Sequence, residues 1–113
     1  MSTIDFNNKT FSLIANSENG QVNSATTFEY KQQGNLVTAD YSGGSILYGK
    51  IIAVLDGNYL NMLYQCVTNE NEMMAGKAKA LISLNEYNKI KLVLNWEWLG
   101  DEKEKGTSVY IEK

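Results

Sequence analysis

Apolar and polar residues alternate with a period of two along most of this chain, and the alternation limits the fold more than any other feature. It is clearest in residues 89–99, where large apolar side chains occupy every second position: Ile90, Leu92, Leu94, Trp96 and Trp98. Successive side chains of a β-strand point to opposite faces of the sheet. The pattern therefore predicts strands with one buried face and one exposed face.

Turn sequences such as Asp56-Gly57-Asn58 separate the alternating segments, and glycine suits tight turns because it reaches positive φ without a Cβ clash. Residues 73–84 also have the Ala, Leu and Lys content of a helix. However, Gly76 inside a helix would cost ~1 kcal/mol, and the alternation there favours a strand. We predict eight strands, at residues 9–15, 26–31, 36–42, 46–55, 59–67, 73–84, 89–99 and 107–112.

The connections between these strands are too short for crossover helices, so neighbouring strands should be antiparallel. An even number of strands lets the last strand pair with the first, and closure leaves no exposed sheet edge. We predict an all-β fold, a single eight-stranded antiparallel up-and-down barrel of the lipocalin-like type that occupies residues 1–113 as one domain. A sandwich of two sheets is the alternative architecture.

The side of each strand without charged residues should form the interior of the barrel. This set is Phe11, Leu13, Phe28, Tyr30, Leu47, Ile51, Ala53, Leu55, Leu60, Met62, Tyr64, Met74, Ala78, Ile82, Leu92, Leu94, Trp96, Trp98, Val109 and Ile111. Small residues on the facing strands either admit the two indoles into a filled core or leave a lumen lined by aromatic rings. A barrel of this size allows both, and the dense packing of protein interiors favours the filled core.

Composition excludes several kinds of chemistry. The chain has no histidine, and all ten of its basic residues are lysines, so Ser-His-Asp catalysis, histidine-ligated metals and guanidinium clamps are all excluded. We expect no metal and no cofactor. A net charge of −3 argues against a nucleic-acid partner.

The sequence also favours a cytoplasmic location without a membrane partner. The first residues lack the basic start and apolar core of a signal peptide, and the longest apolar stretch, residues 46–55, is shorter than the ~20 residues of a membrane helix. Cys66 is the single cysteine, so it has no internal disulfide partner, and we expect it to be a small buried side chain.

The leading functional hypothesis is a binding protein for a small apolar or aromatic ligand, held in the lumen. Tyr30, Tyr64, Trp96 and Trp98 are the predicted ligand-binding residues because they combine apolar rings with a few polar atoms on the inner face. No catalytic residue is predicted. A strand tyrosine can equally bury its ring and satisfy its hydroxyl with one local partner.

A second hypothesis is an acid–base enzyme, of the decarboxylase, isomerase or lyase type, that uses tyrosine together with Glu or Asp. It requires a carboxylate inside the barrel within hydrogen-bond reach of a tyrosine. Glu29, Asp40 and Glu97 are the carboxylates considered, and alternation predicts that Asp40 and Glu97 point outward. The residues therefore favour a binding role over an enzymatic one.

A third hypothesis is an interaction or scaffold protein with a filled barrel. The strand at residues 46–55 is apolar on both faces, with Ile46, Tyr48, Ile52 and Val54 predicted to point outward. An exposed apolar stripe usually marks a partner site. This face could join two copies of the chain into a homodimer.

Short motifs spread from Phe11 to Val109 make the sequence similar to a family of small bacterial proteins. They are Asn16-Ser17-Glu18-Asn19-Gly20-Gln21-Val22, Thr27-Phe28-x-Tyr30-x-Gln32-x-Gly34, Tyr41-Ser42-Gly43-Gly44, Met62-x-Tyr64-Gln65, Glu72-x-Met74-x-Gly76, Trp96-Glu97-Trp98 and Gly106-x-Ser108-Val109. The resemblance implies a lipocalin-like or avidin-like barrel. Members often carry the name N-acetylglutamate synthase. We do not expect that activity, because the chain has neither a pyrophosphate-binding loop before a helix nor an arginine to hold a dicarboxylate.

Overall fold

The computed structural model describes residues 4–16, 25–100 and 104–113. These residues form eight strands: β1 (Lys9–Asn16), β2 (Thr27–Gln33), β3 (Leu36–Gly43), β4 (Ile46–Asp56), β5 (Tyr59–Thr68), β6 (Met73–Leu84), β7 (Ile90–Trp98) and β8 (Lys105–Glu112). All of the motif Asn16-Ser17-Glu18-Asn19-Gly20-Gln21-Val22 except Asn16 lies outside the described residues. Within the described part of the chain, no helix is long and apolar enough to cross a membrane.

The strands form a closed barrel in which each strand pairs antiparallel with the next and β8 pairs with β1. This confirms the predicted eight-stranded antiparallel barrel and rules out the two-sheet alternative. The segment that had helical composition, Met73–Leu84, is a strand over its predicted bounds. Its alternation prevails over its helix propensity because the inward side chains pack inside the barrel.

The inward and outward faces follow the predicted alternation on most strands, with one error in β4. Leu47 was expected inside and Ile46 outside, but Ile46 is buried and Leu47 is 58% exposed. The pairing between β4 and β5 shifts register between Ile46 and Tyr48. Such an irregularity reverses the face of every residue on one side of it, and the sequence pattern does not reveal it.

The second error is in β8, where Val109 and Ile111 were expected to be buried. Both are only partly buried, and the inward positions belong to Ser108, Tyr110 and Glu112. Each inward residue has a specific partner. The Ser108 hydroxyl accepts a hydrogen bond from an indole, Tyr110 packs edge-on against an aromatic ring, and Glu112 accepts a backbone N–H. These partners make a polar inner face tolerable because they satisfy the buried polar groups.

One end of the barrel, the Phe6 end, is sealed by the segment that precedes β1. Phe6 is fully buried, with its ring centroid 5.9 Å from that of Phe11 and 5.5 Å from that of Tyr30. Its backbone N–H donates to the Gln32 side-chain oxygen at 2.8 Å, and the Asn8 N–H donates to the Tyr30 carbonyl at 3.0 Å. The N-terminal segment therefore acts as a plug held by both stacking and hydrogen bonds.

The opposite end, the Trp98 end, carries the β3–β4, β5–β6 and β7–β8 connections, as the antiparallel order requires. Between the two ends, aromatic rings fill the middle of the barrel. Phe28 stacks on Tyr41 at 4.7 Å and meets Tyr110 edge-on at 4.9 Å. This packing agrees with a filled core in the middle layer.

Substituting Phe6→Ala should destabilise the protein by roughly 3 kcal/mol, because it removes a fully buried ring and leaves a cavity next to Phe11 and Tyr30. Urea unfolding followed by tryptophan fluorescence measures this change. Tyr87→Ala is the control, since Tyr87 is 75% exposed and should change stability by less than ~0.5 kcal/mol. Equal losses of stability in the two variants would contradict the role of Phe6 as a buried plug.

Glu112 should make stability depend on acid pH. Burial acts to raise the pKa of its carboxyl, but the Ile90 N–H, Lys9 at 3.3 Å and the charge of Lys89 outweigh burial and lower the pKa from its usual 4.5. A lowered folded-state pKa means that the contribution is complete above 4.5 and disappears as the pH falls through the folded-state value.

Glu112→Gln should therefore destabilise the protein by about 1–3 kcal/mol at pH 7 and reduce the further loss of stability between pH 7 and pH 3. Urea unfolding at the two pH values measures both effects. Glu86→Gln, an exposed carboxylate in the β6–β7 turn, should behave like the unsubstituted protein. If the stability of Glu112→Gln depends on pH as strongly as that of the unsubstituted protein, Glu112 is not the source of the pH dependence.

Candidate functional site

Three of the four predicted ligand-binding residues lie together near the Trp98 end. The ring centroid of Trp98 is 6.0 Å from that of Trp96 and 5.4 Å from that of Tyr64, which meets it edge-on. Tyr30 is elsewhere: it is buried against Phe6 and Phe11 at the Phe6 end. Tyr64 pairs with Gly76 and Gly76 pairs with Trp98 across neighbouring strands, which brings Tyr64 and Trp98 together.

Gly76 allows Tyr64 to lie flat across β6. A Cβ atom at position 76 would be 2.5 Å from the Tyr64 ring and 2.7 Å from the Glu97 carbonyl oxygen. The Tyr64 hydroxyl donates to that same carbonyl at 3.4 Å. The absence of a side chain at Gly76 thus makes room for the Tyr64 ring, and the Tyr64 hydroxyl already has a backbone acceptor. Gly49 provides the same space for Tyr41.

The buried tyrosines are poor candidates for proton transfer. Burial is the main reason that the pKa values of Tyr30, Tyr41, Tyr64 and Tyr110 lie well above the usual value of 10. Each therefore remains a neutral phenol at ordinary pH, able to donate a hydrogen bond but not to accept a proton as a base.

The carboxylates that the enzyme hypothesis needs lie on the outer face. Glu97 forms a salt bridge with Lys77 at 3.1 Å, Asp40 forms one with Lys50 at 3.0 Å, and Glu29 is exposed. Their outward positions confirm the prediction for Asp40 and Glu97, so none of these three carboxylates faces a tyrosine inside the barrel. The described residues also contain no group of three side chains able to hold a metal ion.

The two tryptophans differ in the partners of their indole N–H groups. Trp96 donates to the Ser108 hydroxyl at 2.8 Å. The Nε1–H of Trp98 is buried and has no acceptor among the described residues. An indole nitrogen can only donate, and a buried donor without a partner costs about 1–3 kcal/mol. The indole N–H of Trp98 is therefore an unsatisfied donor that is closed to solvent in this conformation.

Trp98 also lines a cavity of about 860 Å³ at the rim of the barrel. The cavity lies between the ends of β6 and β7 and the connections β3–β4, β5–β6 and β7–β8. Its lining residues are Ser45, Thr68, Asn69, Glu70, Glu72, Met73, Met74, Ala75, Trp98, Leu99 and Glu104. Its size suits a small organic molecule.

Hydrogen bonds hold the loops around this cavity in place. The backbone N–H and side-chain amide of Asn69 donate to the carbonyls of Ser45 and Gly44 at 3.0 and 2.8 Å, which joins two connections. The Thr68 hydroxyl accepts the N–H groups of Glu70 and Glu72 at 3.3 and 3.2 Å. A rim tied in this way is preformed, so binding would require little ordering of the backbone.

Most of the rim was missed by the sequence reasoning. Only Trp98 was a predicted ligand-binding residue, and the sequence did not predict Thr68, Asn69, Glu70, Glu72 or Glu104 as part of a site. The one available signal was the concentration of polar residues in the β5–β6 connection, which does not distinguish a rim from an ordinary turn.

An eight-stranded antiparallel barrel with a cavity at one rim belongs to the class of small up-and-down β-barrels. The chain is a member of the avidin-like protein family, whose family model matches residues 4–113. Barrels of this family typically bind small ligands. Comparison with curated proteins gave no match, and neither did comparison with solved structures.

Gly76→Ala should destabilise the protein by about 1–3 kcal/mol, because the new Cβ atom would overlap the Tyr64 ring. Thermal or urea unfolding measures the change. In a Tyr64→Leu background the same substitution should cost less, since the ring is gone. Ser83→Ala, on the exposed face of the same strand, serves as the control. A Gly76→Ala penalty as small as that of the control would contradict this packing.

Proposed function

We propose that the protein binds a small molecule at the Trp98 end, with the apolar part of the ligand against Trp98 and the rim. The observation that carries this proposal is the cavity of about 860 Å³ that Trp98, Met74 and Leu99 line at this end of the barrel. A cavity of this size with apolar and polar lining residues suits a small organic ligand.

The rest of the cavity supports an apolar ligand body. Met73 is 80% exposed and Leu99 is 52% exposed at its edge, while Met74 is half-buried and packs against the core. Methionine side chains adapt to irregular apolar shapes and make favourable contacts with aromatic rings. Tyr64 meets Trp98 edge-on behind the cavity without lining it. Membership of a ligand-binding barrel family adds independent support.

Binding should be visible at the indole of Trp98. A thermal-shift screen of small organic compounds selects ligands, since binding to the native state raises the melting temperature. In ¹H–¹⁵N spectra a bound ligand should move the indole resonance of Trp98 strongly. The Trp96 indole should move less, because Trp96 does not line the cavity. Trp98→Ala should weaken binding by about tenfold, because it removes the aromatic surface against which the ligand packs.

The Tyr87→Phe variant is the control for that experiment, since Tyr87 is 75% exposed and lies in the β6–β7 turn at the other end of the barrel. It should leave affinity unchanged. Ligands that raise the melting temperature without moving the Trp98 resonance would place binding elsewhere and contradict the proposal.

We also propose that two copies of the chain associate through the outer face of β3, β4 and β5. Leu36, Ile52, Val54 and Leu63 on this face are 46%, 57%, 54% and 61% exposed. Leu36 pairs with Val54 and Ile52 pairs with Leu63 across neighbouring strands, so the four side chains form one apolar patch. A groove of about 790 Å³ adjoins Ile52, Val54 and Leu63. Contiguous apolar patches usually mark interaction sites.

The patch shares only Ile52 and Val54 with the predicted dimer face of Ile46, Tyr48, Ile52 and Val54. Ile46 is buried inside the barrel and contributes nothing to it, while Leu36 and Leu63 extend the face onto the neighbouring strands. A face spread over three strands suits a symmetric dimer better than a single stripe, since the same surface must contact itself.

Ile52→Lys should convert such a dimer to a monomer, because the charge would be buried at its centre without a partner. Sedimentation velocity measures the molecular mass in solution. Ile14→Lys is a matched control: Ile14 is 58% exposed and lies on β1, away from the patch. Monomeric behaviour of the unsubstituted protein, or equal effects of the two substitutions, would contradict the dimer.

A further inference from the structure

The plug at the Phe6 end, residues 4–8, is held in the way that a protein holds a ligand. The Phe6 ring is fully buried, and its centroid lies 5.9 Å from that of Phe11 and 5.5 Å from that of Tyr30. Phe11 and Tyr30 are themselves 4.9 Å apart and meet edge-on. These two strand residues therefore form an aromatic pocket, and the ring that fills it comes from a segment outside the strands.

A side chain of β2 accepts the backbone N–H of Phe6. The acceptor is the Gln32 side-chain oxygen at 2.8 Å, and the Gln32 side-chain N–H donates to the Gly34 carbonyl at 2.9 Å, which orients the amide. The pocket thus combines an aromatic surface with one oriented hydrogen-bond acceptor. Both would stay in place if the plug left, because Phe11, Tyr30 and Gln32 belong to β1 and β2.

The plug is bonded to β2, whereas a cavity separates it from the β6–β7 turn. The Asn8 N–H donates to the Tyr30 carbonyl at 3.0 Å. On the opposite side, a cavity of about 390 Å³ lies between Ile4 and Asp5 of the plug and the residues of that turn. Residues 4–8 form no strand. Irregular segments with space beside them open locally at a lower free energy than the strands of a barrel.

The groups that form the pocket are uncharged. Phe11 has an apolar ring, Gln32 has a neutral amide, and burial raises the pKa of Tyr30 well above its usual value, so its phenol stays neutral. A charged group brought into this pocket would lose its hydration without gaining an ionic partner from these side chains. The pocket therefore favours a neutral ligand.

We infer that the Phe6 end is a second binding site, shut by the plug, for a neutral arylalkyl amide whose ring replaces that of Phe6 and whose N–H donates to Gln32. The plug acts as a competitor that is part of the same chain. The site is separate from the cavity at the Trp98 end and does not depend on the function proposed there. Because only molecules with the plug lifted can bind, the plug weakens the apparent affinity by the fraction of molecules that are open.

Amide hydrogen exchange tests whether the plug lifts while the barrel stays folded. The N–H groups of Phe6 and Asn8 lose their acceptors when it lifts, so they should exchange about tenfold or more faster than amides in the middle of β4 and β5. Low urea concentrations should hardly change their rates, because local opening exposes little surface. If both amides exchange as slowly as the strand amides, with the same dependence on urea, the plug does not lift and the inference is wrong.

N-phenethylacetamide is the probe for binding, because it reproduces Phe6 from its N–H to its ring. Phe6→Asp should expel the plug, since a charge without a partner is not tolerated in this pocket, and should bind the probe about tenfold or more tightly than the unsubstituted protein. Ile14→Asp adds the same charge at a position of β1 that is 58% exposed, and it should leave the affinity unchanged.

If Phe6→Asp does not fold, Phe6→Ala replaces it in this experiment, since it vacates the space of the ring without adding a charge. The expected gain in affinity is the same. A variant that folds and binds the probe no more tightly than the unsubstituted protein would overturn the inference.

Phenethyl acetate tests the hydrogen bond to Gln32, because it has an ester oxygen in place of the N–H. It should bind Phe6→Asp about three- to tenfold less tightly than the amide, and adding Gln32→Leu should remove this difference. Resonances of the Tyr30 ring report binding at this end. Equal binding of amide and ester to Phe6→Asp would show that the inferred ligand class is wrong. A probe that moves only the Trp98 indole resonance binds at the other end, which would overturn the second site and leave the proposed function intact.

Discussion

The pairing of β8 with β1 is the interaction on which the rest of the structure depends. Without it the eight strands would form an open sheet with two unpaired edges and no defined interior. The pairing includes a register shift between Leu13 and Ala15, and it places Phe11 opposite Glu112. Closure therefore determines which side chains are enclosed, and it brings the buried Glu112 within reach of Lys9 and the Ile90 amide.

Closure also gives the barrel two unlike ends. At the Phe6 end the chain folds a phenylalanine back onto Phe11 and Tyr30, and the backbone and side-chain groups there find partners. At the Trp98 end an indole is buried beside a cavity with its N–H unused. Buried polar groups are normally satisfied, and among the side chains that the structure describes this indole N–H is the exception.

The proposed dimer and the proposed ligand at the Trp98 end use different surfaces and different physics. The dimer patch is apolar and lies on the outside of β3, β4 and β5, whereas the ligand cavity lies at the rim and is edged by carboxylates. Apolar burial would drive the first, whereas the second would enclose a small ligand in a cavity whose loops are already held by hydrogen bonds. The interior tyrosines belong to neither, since Tyr41 and Tyr64 already donate to backbone carbonyls.

The strands, their order and the closed barrel could be predicted from the sequence because they follow from local alternation and turn chemistry, which each segment carries by itself. Residues 73–84 show how strongly alternation predicts a strand, since it identified one where composition suggested a helix. The inner faces of β1, β2 and β5 to β7 followed for the same reason, as did that of β4 beyond Tyr48, whereas the inward residues of β3 were not among the predicted set.

The faces of Ile46 and Leu47, the polar inner side of β8 and the rim of the cavity were decided only by the tertiary structure. A register shift depends on how two strands pair, and the residues of the rim are far apart in the chain until closure brings three connections to one end. Likewise, the sequence places Trp96 and Trp98 on one face, but only packing determines that Ser108 reaches one indole and nothing in the described chain reaches the other. Local patterns determine backbone conformation, whereas the partners of buried polar atoms depend on contacts between distant segments.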